Sequence, residues 1–142
     1  MMSTAAIVLV WAAFAQVLLT FWAIIRMGMA RVAVIRSGAL TMADIALDSR
    51  GWPEHVQKFQ ANTSNQFETP ILFFAGIAIA LGAGAASAWV ALFAWLYVAS
   101  RLAHRRIHVG SNDVAQRFRA YLMGLFALAA LWIALMAGVS MP

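Results

Sequence analysis

The sequence predicts an all-α integral membrane protein, an up-down four-helix bundle with both termini on the non-cytoplasmic side. Three observations carry that prediction. The 142 residues are 64% hydrophobic and only 11% charged, with mean hydropathy +0.82, more apolar surface than a soluble domain of this size can bury. The apolar residues form four runs, and four helices of about 20 residues with their connections use nearly the whole chain, which leaves a single domain. All ten Lys and Arg residues flank the first and third connections: Arg26, Arg31, Arg36, Arg50 and Lys58 in one, Arg101, Arg105, Arg106, Arg117 and Arg119 around the other. The positive-inside bias places these connections in the cytoplasm, and an odd number of spans would split them between the two sides.

The first helix is expected over residues 4–27, with Gln16 its main polar interruption. It does not read as a secretory signal, because Met1 to Ala5 carry no basic side chain and the apolar run continues to Arg26. A polar connection follows and closes on Gly51-Trp52-Pro53, where Pro53 suits the first turn of a second helix over 54–84. Within that helix the apolar run from Pro70 to Ala86 is shorter than the ~20 residues a span needs, so the polar turn carrying Asn65 and Glu68 must enter the membrane. Gly76, Ala80 and Gly84 lay small residues along one face, where another helix can approach closely.

Ser87 can cap a third helix over 88–108. Its apolar run, Ala88 to Ser100, is again too short alone, and completing the span carries Arg101 and His104 towards His108 into the bilayer. Asn112 or Asp113 then caps a fourth helix over 114–139, with Gln116 placed to complete a capping box on Asp113. Trp22, Trp52 and Trp89 read as interface anchors or packing residues near span ends, and Trp95 and Trp132 as packing residues within spans.

Charge inside the membrane marks the candidate site. A charged side chain at mid-depth costs about 2.5–3.5 kcal/mol on insertion scales and normally faces the bundle interior with a partner. Glu68 is therefore expected to pair with Arg101 or His104. Arg101, His104 and His108 share one helical stripe, Asn65 precedes Glu68 by one turn, and Arg117 with Tyr121 forms an i, i+4 pair at the start of the fourth helix. Pro70 removes a backbone N–H and so frees the carbonyl of Gln66.

The blocks Asn65-Gln66-Phe67-Glu68, Arg101-Leu102-Ala103-His104 and Arg117 with Tyr121, in this order on a four-helix frame, resemble the MAPEG family, the membrane-associated proteins in eicosanoid and glutathione metabolism. The chain looks like a divergent member of bacterial type, which implies a bacterial inner (plasma) membrane. The resemblance implies a homotrimer that binds glutathione between neighbouring subunits at the cytoplasmic side. It casts Arg117 as stabiliser of the thiolate, Tyr121 as hydrogen-bond donor and Glu68 as acceptor for the ligand's amino group. Asn65, Arg101, His104 and His108 complete the implied binding set. Two positions that are usually Arg in glutathione-using members are Ala61 and Ser64 here, with Lys58, Arg31 or Arg36 as candidate replacements. His108 stands where the eicosanoid enzymes have Tyr.

The expected function is a glutathione-dependent transferase or peroxidase acting on apolar electrophiles or lipid hydroperoxides taken from the membrane lipids. Two other readings compete: a non-catalytic scaffold or lipid-binding protein on the same fold, and a small proton-coupled exporter built on Glu68. His104 and His108 could ligate a metal, but without a His-Glu-x-x-His signal or a carboxylate cluster none is expected. The net charge of +5 flanks apolar spans rather than covering a soluble surface, so nucleic acid is not an expected partner. Cysteine is absent, so any thiol chemistry must draw its sulfur from a ligand.

Overall fold

Apolar stripes at helical spacing turn this chain into a membrane four-helix bundle. The computed structural model describes residues 1–46 and 51–140, and Arg50 of the first connection lies outside them. Helix α1 covers Thr4–Arg36, α2 Glu54–Ser64, α3 Thr69–Gly82, α4 Ala88–Val109 and α5 Val114–Ser140. A short 3-10 turn, Asn65–Phe67, joins α2 to α3, and these three pieces make one interrupted span. Helices α1 and α5 are long and apolar enough to cross a membrane by themselves.

Each span packs on at least two others. In α1 the buried residues Leu9, Ala12, Gln16, Leu19 and Ala23 recur at three- and four-residue steps, one stripe facing inward. That stripe meets α4 and α3, and α4 packs most extensively on α5, which closes the ring against α3. The core between them is built from Leu9, Phe73, Ile77, Val90, Tyr97, Leu131 and their neighbours. Ser3 and Thr4 lie beside Ala88, and Gly138 lies beside Ala85, so both termini and the α3–α4 turn share one end of the bundle. The described basic residues collect at the other end.

The first helix does not stop near residue 27 but continues to Arg36. Arg26, Arg31 and Arg36 end the apolar run without ending the helix, because the arginines, Met27, Met29, Ala30 and Ala33 are good helix formers and no proline intervenes. The stop comes at Ser37 and Gly38, the latter in the left-handed region at φ 73°. This extension supports a second, smaller apolar cluster of Val34, Trp52 and Val56 outside the main core. Trp52 is thus a buried packing residue of the connection.

The second helix is not continuous over 54–84. Glu68 adopts φ −95°, ψ −102°, outside the helical region, and Pro70 follows in the first turn of α3. At 14 residues, α3 is only about 21 Å long. The break therefore lies deep: the Gln66 side chain accepts a hydrogen bond from Gln16 Nε2 at 3.1 Å, and Gln16 sits about 18 Å along α1 from its start.

Both expected caps form. Ser87 Oγ accepts from Val90 N–H, and Asp113 accepts from the Gln116 N–H at 2.8 Å while the Gln116 amide approaches its other oxygen. At the crossing of α4 and α5, a Cβ on Gly124 would lie 2.5 Å from Ser100 Oγ but 3.5 Å from Ser100 Cβ. Gly124→Ala is thus expected to destabilise the protein by about 1–3 kcal/mol, and adding Ser100→Ala to recover most of it. Thermal unfolding of both variants in detergent checks this, and equal losses in the single and double variants would contradict it.

Candidate functional site

At the basic end, the first turns of α5 face the last turns of α4 across a recess of about 360 Å³. Ala61, Asn65, His104, His108, Arg117, Phe118 and Tyr121 are among the residues that line it. Five residues singled out in the sequence thus converge: Asn65 from the break in the second span, His104 and His108 from α4, Arg117 and Tyr121 from α5. Among the described residues no Asp or Glu lines the recess.

The helical register explains the convergence. His104 and His108 stand one turn apart with ring centroids 5.5 Å from one another, and the Tyr121 ring lies 6.3 Å from that of His104. Both imidazoles are more than nine-tenths buried, and neither Nδ1 has a hydrogen-bond partner among the described residues. Arg101 and Arg117 are the cations within electrostatic reach of both rings. Burying imidazoles without partners beside guanidinium groups is costly unless an acceptor-bearing ligand enters. The arrangement is suited to an anion with several hydrogen-bond acceptors.

Arg117 is aimed by a residue that the sequence reading treats only as a cap. Asn112 takes the left-handed conformation at φ 52°, and its Oδ1 accepts a hydrogen bond from Arg117 Nη1 at 2.8 Å. Asn tolerates that backbone better than other non-glycine residues, and its short amide then reaches the guanidinium five positions on.

Glu68 and Arg101 behave differently from expectation. The anticipated ion pair of Glu68 with Arg101 or His104 does not form, and Glu68 is exposed on the protomer surface. Arg101, at 2% exposure, instead donates through Nη2 to the Asn65 carbonyl at 2.6 Å. Breaking the helix frees backbone carbonyls inside the bilayer, where no water satisfies them, and a charged donor is a strong replacement. This role takes Arg101 off the recess wall, while Glu68, at the backbone turn, stays exposed. The two charges act on each other only through space.

A further polar cluster, not expected from the sequence, lies between α1, α2 and α4. Arg105, only 1% exposed, donates to Asn62 Oδ1 at 2.7 Å and stacks its guanidinium 4.0 Å from the Trp22 ring centroid. Thr63 Oγ1 donates to the carbonyls of Phe59 and Ala23, tying α2 to α1. These contacts hold the break in place and so fix Asn65 at the recess.

Comparison with known proteins gives one match. The family model described as MAPEG family matches residues 8–137, nearly the whole chain. No curated protein and no solved structure matches.

Proposed function

The chain belongs to the MAPEG family of membrane proteins, and from that premise we propose that it is a glutathione-dependent transferase or peroxidase acting on apolar electrophiles or lipid hydroperoxides. One observation carries the reading: Asn65, His104, His108, Arg117 and Tyr121 line a single recess that has one guanidinium and unpartnered imidazole nitrogens but, among the described residues, no carboxylate. Glutathione, when bound, supplies the nucleophilic sulfur that a chain without cysteine lacks.

The residues divide the work by chemistry. Arg117 favours the deprotonated thiol, since a nearby cation lowers a thiol's pKa and raises its reactive fraction at neutral pH. Tyr121, one turn further along α5, donates a hydrogen bond to the sulfur or to the developing charge on the electrophile. His104 and His108 offer donors to the tripeptide's carboxylates in place of the cations absent at Ala61 and Ser64. Arg101 acts at one remove by holding Asn65. Glu68, exposed on the protomer, accepts the ligand's amino group from a neighbouring subunit, in a homotrimer whose assembly also shields that carboxylate from lipid. The basic end faces the cytoplasm of a bacterial inner membrane.

The test is a calorimetric titration of the purified full chain with glutathione, followed by conjugation assays across a panel of apolar electrophiles. Saturable binding at or below millimolar concentration, with turnover of at least one electrophile, is the expected result. Neither binding nor turnover would refute the proposal. It would favour a non-catalytic scaffold, the reading that Ala61 on the recess wall supports, because that position lacks the guanidinium usual in glutathione-using members.

A further inference from the structure

A second recess, independent of the glutathione reading, lies against the C-terminal turns of α1. It encloses about 460 Å³ with an apolar floor of Val32, Ile35, Met42, Ile45 and Trp52, and carries Arg31 and Arg36 on its wall. Arg31 is pre-positioned: Nη2 donates to Gln60 Oε1 at 2.9 Å, the guanidinium lies 5.3 Å from the Trp52 ring centroid, and Nε is buried without a partner among the described residues. Arg36 is exposed at the mouth.

Among the described residues no carboxylate lines this recess, and the described carboxylates nearest in sequence are engaged. Asp44 accepts from Thr41 N–H at 2.8 Å and from its hydroxyl at 2.7 Å, which holds its carboxyl below the usual range, and Glu54 pairs with Lys58 at 2.8 Å. Position along the helix completes the case. Arg31 lies about 40 Å from the start of α1 and Arg36 about 48 Å, whereas a bilayer with its headgroups is about 40–45 Å thick. One guanidinium group at headgroup depth and a second at the outer edge of the headgroups, above an apolar floor, match one kind of occupant.

We propose that this recess binds one anionic phospholipid of the surrounding membrane, with the phosphate on Arg31 and Arg36 and the start of an acyl chain on the Val32, Ile35, Met42 and Ile45 floor. The site lies on the helical extension and its connection, separate from the recess of Arg117.

The experiment is native mass spectrometry of the full chain from mixed micelles of phosphatidylglycerol and phosphatidylcholine. The native protein is expected to retain phosphatidylglycerol preferentially, with the preference falling about fivefold in Arg36→Gln and further in Arg31→Gln/Arg36→Gln. The control variant Arg106→Gln/Arg119→Gln removes as much charge from exposed positions at the same end and should keep the preference. Circular dichroism verifies folding of each variant, and Arg36, exposed at a helix end, carries the test if the Arg31 variant does not fold. Equal retention of the two lipids, or an equal loss in the control, would overturn the assignment. Glycerol phosphate at matched concentration should not displace the lipid; if it does, the apolar floor contributes nothing and the lipid assignment falls.

Discussion

On the proposed function, Arg117→Ala is expected to cut thiol activation at least about tenfold while leaving the fold intact. Arg117 is the one guanidinium among the described residues on the wall of the recess between α4 and α5, half-buried in the first turn of α5 and fixed by Asn112 Oδ1 at 2.8 Å. Losing a stabilisation of one pKa unit reduces the thiolate fraction about tenfold at neutral pH, and the lost positioning adds to that. The ultraviolet absorbance of thiolate in the glutathione complex, with kcat/KM for conjugation, measures the effect: both should fall by at least about tenfold. Unfolding temperature should barely change, because the side chain ends in a recess and supports no core contact. Arg117→Lys, which restores charge without the fork, should recover part of the thiolate signal. Conjugation that is indifferent to Arg117→Ala would remove this residue from the chemistry.

The second large effect is expected in stability. Asn62→Leu leaves the Arg105 guanidinium buried without its acceptor, in a cluster where Arg105 Nε and Gln16 Oε1 already lack partners among the described residues. A hydrogen bond to a charged group contributes about 1.5–3 kcal/mol, and the stranded cation adds a desolvation cost. Adding Arg105→Met should recover much of the loss, because replacing both members of a buried polar pair is far less costly than removing one. Unfolding in mixed detergent for both single variants and the double variant completes the cycle. Additive losses would mean that Asn62 and Arg105 are not energetically coupled.

Much of the frame is legible in the chain because the bilayer allows few solutions. Long apolar runs at Thr4 and Val114 must span, runs too short to span must carry polar neighbours with them, and Ser87 and Asp113 mark helix starts by chemistry local to their own turns. The family blocks also locate Asn65, His104, Arg117 and Tyr121, the helical stripe of His104 adds His108, and the fold gathers all five at one recess. What was not legible depends on backbone geometry between blocks. Glu68 was assigned a cationic partner because charge in a membrane demands one, but its turn at φ −95°, ψ −102° points it outward and gives Arg101 a carbonyl to satisfy instead. Asn112 was legible as a cap, and its second role appears only once the left-handed backbone brings its amide to Arg117. Arg105 reads from the sequence as one of the charges flanking the third connection, because nothing in the spacing of Asn62, Arg105 and Trp22 shows that α2, α4 and α1 meet there. The extension of α1 to Arg36 was obscured for a similar reason, since loss of hydropathy marks the end of a membrane span but not the end of a helix.

The most direct measurement is an experimental structure of the full chain in lipid with glutathione added. The sulfur should lie about 3–4 Å from the Arg117 guanidinium, with the peptide against Asn65, His104 and His108. Glutathione density placed away from α4 and α5, or a recess filled instead by side chains of a neighbouring copy, would contradict the assignment of this site.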